Sequence, residues 1–126
     1  AALQQEIGSV LADVRVAVRA REVVGVLVMR ATADGWQVEN VAVRPSEAGR
    51  GIGRRLMEWM LDDADARRLA VVTLTVMKAN ERARRLYERV GFAVTGEADF
   101  RAPGDSLAME RRLPTAANGD APCDKG

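Results

Sequence analysis

The residues best suited to chemistry are three glycines, Gly49, Gly51 and Gly53, interleaved with Arg50, Ile52 and Arg54 and followed by Arg55. Small residues at alternate positions let several backbone N–H groups converge on one point with no Cβ in the way. At the start of a helix, those donors and the helix dipole make an anion site. The arginines add positive charge around it. The chemistry indicated is the holding of a phosphate. Two familiar phosphate loops do not fit. A P-loop ends in Gly-Lys-Ser/Thr, and here Gly53 is followed by Arg54 and Arg55. A dinucleotide fingerprint needs glycine at 54 or 56, and the chain has Arg54 and Leu56 there. On the loop alone, a phosphate cradle and a plain strand-to-helix turn with solvated arginines are equally good readings.

Composition removes much other chemistry. Histidine is absent and the one cysteine is Cys123. That excludes Ser-His-Asp and Cys-His catalysis, imidazole bases, most zinc sites and an internal disulfide. No metal is expected. The 126 residues carry 19 Lys plus Arg against 18 Asp plus Glu, a balance that offers no global attraction for nucleic acid or a membrane surface. No apolar run reaches the ~20 residues of a membrane span. Gln4, Gln5 and Glu6 interrupt the first stretch where a signal peptide would be apolar. The expected compartment is the cytoplasm. With 48% hydrophobic and 29% charged residues, the chain reads as one globular domain.

The glycine loop must be placed by what flanks it. Before it, Leu3, Ile7, Val10 and Leu11 recur at helical spacing and predict a short amphipathic helix ending near Ala12. Val14, Val16 and Val18 alternate with Arg15, Ala17 and Arg19, the period of a half-buried strand. Residues 23–29 are a β-branched run, and 36–43 a third strand after the turn at Asp34-Gly35, so the first half reads as an antiparallel meander. After the loop, Ile52, Leu56, Met60 and Ala64 mark a helix to about Arg68. Residues 70–77 read as a buried strand reached by a parallel crossover. Asn80, a good helix N-cap, opens a second helix with Ala83, Leu86, Tyr87 and Val90 on its apolar stripe and Gly91 as its stop. Strands at 92–100 and 106–113 follow, around the turn Pro103-Gly104-Asp105. The domain is expected over 1–113, with 114–126 as a mobile tail. Met57, Met60 and Met77 read as core packing.

Two blocks together point further. Val41-Ala42-Val43-Arg44-Pro45 with Gly49-Arg50-Gly51-Ile52-Gly53-Arg54-Arg55-Leu56 is similar to the acetyl-CoA signature of the GNAT family of N-acetyltransferases. The run 80–92 matches that family's second signature, Asn-x-x-Ala-x-x-x-Tyr-x-x-x-Gly-Phe, through Asn80, Ala83, Tyr87, Gly91 and Phe92. The resemblance is strongest over 38–92. It implies an α/β (α+β) single domain: a mixed, mostly antiparallel sheet with helices on both faces and a splayed central strand pair. It implies acetyl-CoA as co-substrate, its pantetheine arm lying between strands 41–43 and 74–77. Main chain of Val41, Ala42 and Val43 would meet the arm, and one N–H there would polarise the thioester carbonyl. The backbone of Gly49, Arg50, Gly51, Ile52, Gly53 and Arg54 would wrap the pyrophosphate, and the Asn80 amide would meet the cofactor. Tyr87 would sit near the sulfur and protonate the departing thiolate. The chain departs from the family in two places. Ala48 stands where the loop usually begins with Gln or Arg, and the strand and helix that open the fold look short or missing.

The implied activity is acetyl transfer to a primary amine by direct attack in a ternary complex. The alternative is a non-catalytic acyl-CoA-binding or regulatory module of the same fold. The amine must lose a proton to attack, and without histidine a carboxylate is the available base. Glu39 is the candidate, with Asn40 beside it; alternation expects the two to face opposite sides. Some relatives that acetylate protein N-termini carry a glutamate five residues before the asparagine, where this chain has Thr75. The acceptor is left open between small-molecule and peptide amines. A homodimer that covers an exposed sheet edge is also left open. Arg82, Arg84, Arg85 and Arg89 read as a wet helix face, one or two of which, with Lys78, could meet the cofactor's 3′-phosphate.

Overall fold

The computed structural model describes residues 4–9, 13–97 and 104–114. Its elements are β1 (Gln4–Ser9), β2 (Asp13–Arg19), β3 (Glu22–Ala31), β4 (Gly35–Val43), a 3-10 turn (Pro45–Glu47), α1 (Ile52–Ala66), β5 (Val71–Met77), α2 (Glu81–Arg89), β6 (Ala93–Glu97) and β7 (Ser106–Arg112). Seven strands make one sheet in the order β1-β2-β3-β4-β5-β7-β6. Every pairing is antiparallel except β4 with β5, which is parallel. The mixed, mostly antiparallel sheet is therefore the one expected. Among the described residues no helix is long and apolar enough to cross a membrane.

The opening helix is corrected. Residues 4–9 form β1, paired along its length with β2, from Gln4 opposite Val18 to Ser9 opposite Asp13. An opening strand is thus present, and only residues 10–12 separate it from β2. The apolar spacing that suggested a helix is a weak local signal, and pairing with a long neighbouring strand overrides it. The C-terminal strand expected over 92–100 is described as far as Glu97. Residues 98–103 and 115–126, with the predicted tail and Cys123, lie outside the described residues.

The core forms where α1 crosses the sheet. Its buried stripe, Ile52, Leu56, Met57, Met60, Leu61 and Ala64, covers Ala17, Leu27, Met29 and Trp36. A side chain of this size, fully withdrawn from water, contributes roughly 1.5–3 kcal/mol. Close approach is possible because β3 carries Gly25: a Cβ there would lie 2.8 Å from Ile52 Cγ2. α2 lies on the same face, since a Cβ at Gly53 of α1 would sit 3.4 Å from Leu86 of α2. Helices on both faces are therefore not what the described residues hold; both pack on one.

The phase of β2 is also reversed. Its alternation is real, but Arg15 (1% exposed) and Ala17 (0%) face α1, while Val14, Val16 and Val18 are half-exposed on the opposite face. A buried arginine is tolerated only with partners. The Arg15 guanidinium donates to Asp63 Oδ2 of α1 at 3.3 Å and stacks on the Trp36 ring at 5.6 Å, which Arg67 also covers at 5.4 Å. The tryptophan thereby ties the start of β4 to both ends of this cluster.

At that start β4 and β5 lie close together. A Cβ on Gly35 would fall 1.8 Å from the Val71 carbonyl oxygen, with which β5 begins. This neighbour is backbone and cannot swing aside. Gly35→Ala is expected to destabilise the fold by at least about 2 kcal/mol, in the upper part of the usual range for overpacking or beyond it. Urea denaturation with an unchanged m value reads this; a loss under about 0.5 kcal/mol would mean the β4–β5 contact is looser than described.

Candidate active site

The site is built from the strands that Gly35 and Val71 bring together. β4 and β5 pair from Gly35–Val71 to Val38–Leu74 and no further, although β4 runs on to Val43 and β5 to Met77. The separation coincides with a bulge. Met29 lies opposite Val38 and Val28 opposite Asn40, so Glu39 is an extra residue in β4. A bulge bends its strand and re-aims side chains. Beyond it β4 stays paired to β3, through Leu27–Val41 and Gly25–Val43, and leaves β5 behind.

The gap has unpaired main chain along one edge. Arg44 N–H donates to the Val24 carbonyl of β3 at 2.8 Å. Strand alternation therefore turns the main chain of Ala42 toward β3, and that of Val41 and Val43 toward the gap. A cavity of about 230 Å³ lies in this gap. Toward the helices it is lined by Val38, Val41, Leu74, Val76, Ala83 and Tyr87. Toward the open face it is lined by Glu39, Asn40, Thr75 and Met77. The bulge is why Glu39 and Asn40, expected on opposite sides, share that rim. Arg30 reaches Glu39 at 3.5 Å. Met77 is 56% exposed, so it lines the opening and is not core; Met57 and Met60 are buried.

A second cavity, about 820 Å³, continues on the helix side from Val41 and Val43 to the glycine loop and α2. Gly49 and Gly51 have φ of 83° and 77°, left-handed values that favour glycine. A Cβ on either would meet no atom within 4 Å, so their open sides face the cavity. Gly51 is the N-cap of α1 and gives no side-chain cap. The first-turn N–H groups, with no partner inside the helix, thus have no side-chain acceptor at the cap. Glu47 also lines this cavity, its Oε1 atom 3.5 Å from Arg19 and 3.6 Å from Arg50.

Asn80 and Tyr87 touch both cavities. Asn80 caps α2, its Oδ1 accepting from Ala83 N–H at 3.1 Å. At the other end, Gly91 takes φ 99°, Gly91 N–H donates to the Glu88 carbonyl and Phe92 N–H to the Tyr87 carbonyl at 2.9 Å. That double closure stops the helix and sets the Phe92 ring 6.2 Å from that of Tyr87. Burial removes water that would stabilise a phenolate, and so raises the Tyr87 pKa above its usual value of about 10. The phenol stays protonated through neutral pH, and its hydroxyl has no protein hydrogen-bond partner among the described residues.

Of the residues named from sequence, Val41, Val43, Gly49, Gly51, Ile52, Gly53, Arg54, Asn80 and Tyr87 line the larger cavity, and Glu39 the smaller. Ala42 and Arg50 line neither: Ala42 faces β3, and Arg50 turns to Glu47. Lys78 is held by Glu97 at 2.8 Å and is also outside both cavities. Sequence reasoning read Met77 as core and named Thr75 only as the place where some relatives carry a glutamate; neither was assigned to the site. Their signal was position on the strand opposite Val41, across the gap that the family resemblance implies.

The fold and site define a sheet with a parted parallel strand pair and a cavity that runs from it to a glycine loop at a helix N-terminus. Comparison with known proteins gives the family. The model of the acetyltransferase (GNAT) family matches residues 5–92, more than half of the chain. The chain belongs to the GNAT acetyltransferase family. It is 38% identical over 95 residues to N-alpha-acetyltransferase 40 of Saccharomyces cerevisiae, covering 67% of this chain and 31% of that protein. It is 44% identical over 79 residues to N-alpha-acetyltransferase RimI of Mycobacterium tuberculosis, covering 60% and 48%. The chain thus spans half or less of the length of these curated relatives. A Bacillus subtilis acetyltransferase solved in complex with CoA superposes with a TM-score of 0.77 at 16% identity, covering 89% of this chain and 99% of that one.

Asn80 has a structural duty that can be measured apart from any ligand. Asn80→Ala is expected to cost about 1 kcal/mol in urea denaturation, and Asn80→Asp, which keeps the cap, only a few tenths. Equal losses in the two variants would mean that Ala83 N–H does not depend on this side chain.

Proposed function

We propose that the chain transfers the acetyl group of acetyl-CoA to the α-amine of a peptide or protein. The observation that carries this reading is the parted β4–β5 pair, with unpaired main chain at Val41 and Val43 and a cavity in the gap lined by residues from both faces of the sheet. The residues fit the co-substrate. The loop from Gly49 to Arg54 offers backbone donors and an open surface to a diphosphate, and the gap has the narrow, amide-lined form that a pantetheine arm requires. Acetyl-CoA supplies the activated acyl carbon; the chain orients it and manages protons.

On the open face the acceptor's ammonium gives a proton to Glu39, directly or through one water. The neutral nitrogen attacks the thioester carbon, whose oxygen takes a hydrogen bond from the main chain of β4. The C–N bond forms and the C–S bond breaks. The nitrogen's second proton leaves to solvent, and Tyr87 gives its phenolic proton to the sulfur. The products are the N-acetyl amine and CoA thiol, with one proton released overall once Tyr87 is reprotonated. Arg30 holds the Glu39 carboxylate at the rim. In this reading transfer is direct, with no acyl-enzyme; the chain's one cysteine, Cys123, lies outside the described residues.

The peptide α-amine is favoured over other acceptors by two things. Relatives at 38% and 44% identity are named N-alpha-acetyltransferases. The acceptor rim is small and carries one carboxylate, already paired with Arg30, which suits a single ammonium better than a polycation. Mass spectrometry of a peptide panel tests this. Acetylation of free N-termini, with lysine side chains of N-terminally blocked peptides untouched, is the expected result. Acetyl-CoA binding with no product on any amine would support the non-catalytic module instead.

Tyr87→Phe is expected to lower kcat about 100-fold or more, the span typical of a positioned acid, with acetyl-CoA affinity within about two-fold. Equal losses in kcat and affinity would contradict the acid role. Cys123→Ser is expected to leave turnover unchanged; inactivation would revive an acyl-enzyme.

A further inference from the structure

Resting on the reading that Tyr87 is the general acid of the transfer, we propose that Arg111 of β7 is a positioning residue. It pins the C-terminal turn of α2 to the sheet and so holds the Tyr87 phenol at the gap. α2 needs such a fastening. Of its nine residues only Tyr87 is buried, and burial of an apolar face is what ordinarily secures a short helix. Its N-terminal end is capped by its own Asn80, which satisfies the helix without tying it to a strand. Among the described residues, Arg111 is the one side chain of the sheet that hydrogen-bonds to this helix or its caps.

The contacts lead from the guanidinium to the phenol in short steps. Arg111 Nη1 donates to the Val90 carbonyl at 3.0 Å. Val90 N–H donates in turn to the Tyr87 carbonyl at 3.2 Å, and Phe92 N–H to the same oxygen at 2.9 Å. Phe92 then sets its ring against that of Tyr87. The last carbonyls of a helix have no partner inside it, and a cation there also meets the negative end of the dipole. The arginine passes this close because residue 91 is glycine: a Cβ there would lie 3.0 Å from Arg111 Nε and 3.1 Å from its Cδ. The anchor sits on the closed part of the sheet. Arg111 lies opposite Val72 of β5, and Val72 opposite Trp36 of β4. Tyr87 is thereby referenced to the half in which β4 and β5 stay paired.

The test is a double-mutant cycle read as kcat and acetyl-CoA affinity, with a peptide of free N-terminus as acceptor. Arg111→Met keeps the apolar stem and removes the donor. It is expected to lower kcat about ten-fold or more, as a misplaced catalytic group does, with acetyl-CoA affinity within about two-fold of native. In a Tyr87→Phe background the same substitution should change kcat by less than about two-fold, because residues that act as a unit are not additive. Arg111→Lys, which still presents a cationic donor, should recover kcat to within about three-fold of native. If Arg111→Met does not fold, Arg111→Gln, too short to reach Val90, takes its place in the cycle. Equal losses in the two backgrounds, a loss carried by affinity, a lysine variant no better than the methionine one, or full activity in Arg111→Met overturns this proposal and leaves Tyr87 as the acid. A native chain with no turnover, or native-like kcat in Tyr87→Phe, overturns the acid reading and this proposal with it.

Discussion

The structure depends on the parting of two parallel strands. β4 and β5 start in a close backbone contact, at Gly35 and Val71, and separate after Val38 and Leu74. Separation leaves main-chain N–H and C=O groups of Val41 and Val43 without sheet partners, free to pair with whatever enters the gap. In the proposed function a ligand that lies along the strand edge does this as a neighbouring strand would. The bulge at Glu39 is the device that permits it: one extra residue lets β4 follow β3 and abandon β5.

The rest of the molecule holds this gap and surrounds it with chemistry. α1 crosses from the end of β4 to the start of β5, so its N-terminus, with Gly51 at the cap, opens beside the unpaired edge. α2 leaves the far end of β5 and returns Tyr87 to the gap, fixed by the Asn80 cap at one end and the Gly91–Phe92 closure at the other. The Arg15–Trp36–Arg67 stack, with Asp63, anchors the closed end. The glycine loop and Arg54, Arg82, Arg85 and Arg89 lie on the helix face, and Glu39, Asn40, Thr75 and Met77 on the other. In the proposed transfer the two substrates approach from the two faces and do not compete for space.

Much of this was legible in the sequence. The stripe Ile52–Leu56–Met60–Ala64, the Asn80 cap and the Gly91 stop carry strong local signals, and α1 and α2 formed where those signals place them. The glycine loop was legible because left-handed backbone and an open surface both demand glycine. What was missed depends on distant partners. β1 has helical apolar spacing and becomes a strand only because β2 pairs with it. Arg15 turned inward because Asp63, 48 residues away, and Trp36 receive it; without them, alternation assigned the valines to the core. The Glu39 bulge leaves no trace in periodicity, so Glu39 and Asn40 were assigned to opposite faces. The arginines of α2 were read as a wet face with one or two of them free to meet a phosphate, but nothing in one helix says which of them line the cavity beside it.

The central claim concerns the main chain of Val41 and Val43, and amide hydrogen exchange resolved by residue tests it most directly. In the free chain these two amides should exchange faster than that of Ala42, which faces β3. Saturating CoA should slow both at least ten-fold and leave Ala42 unchanged. Slow exchange at Val41 and Val43 without ligand, or no slowing when CoA is bound, would contradict the claim that the parted strand edge holds the cofactor.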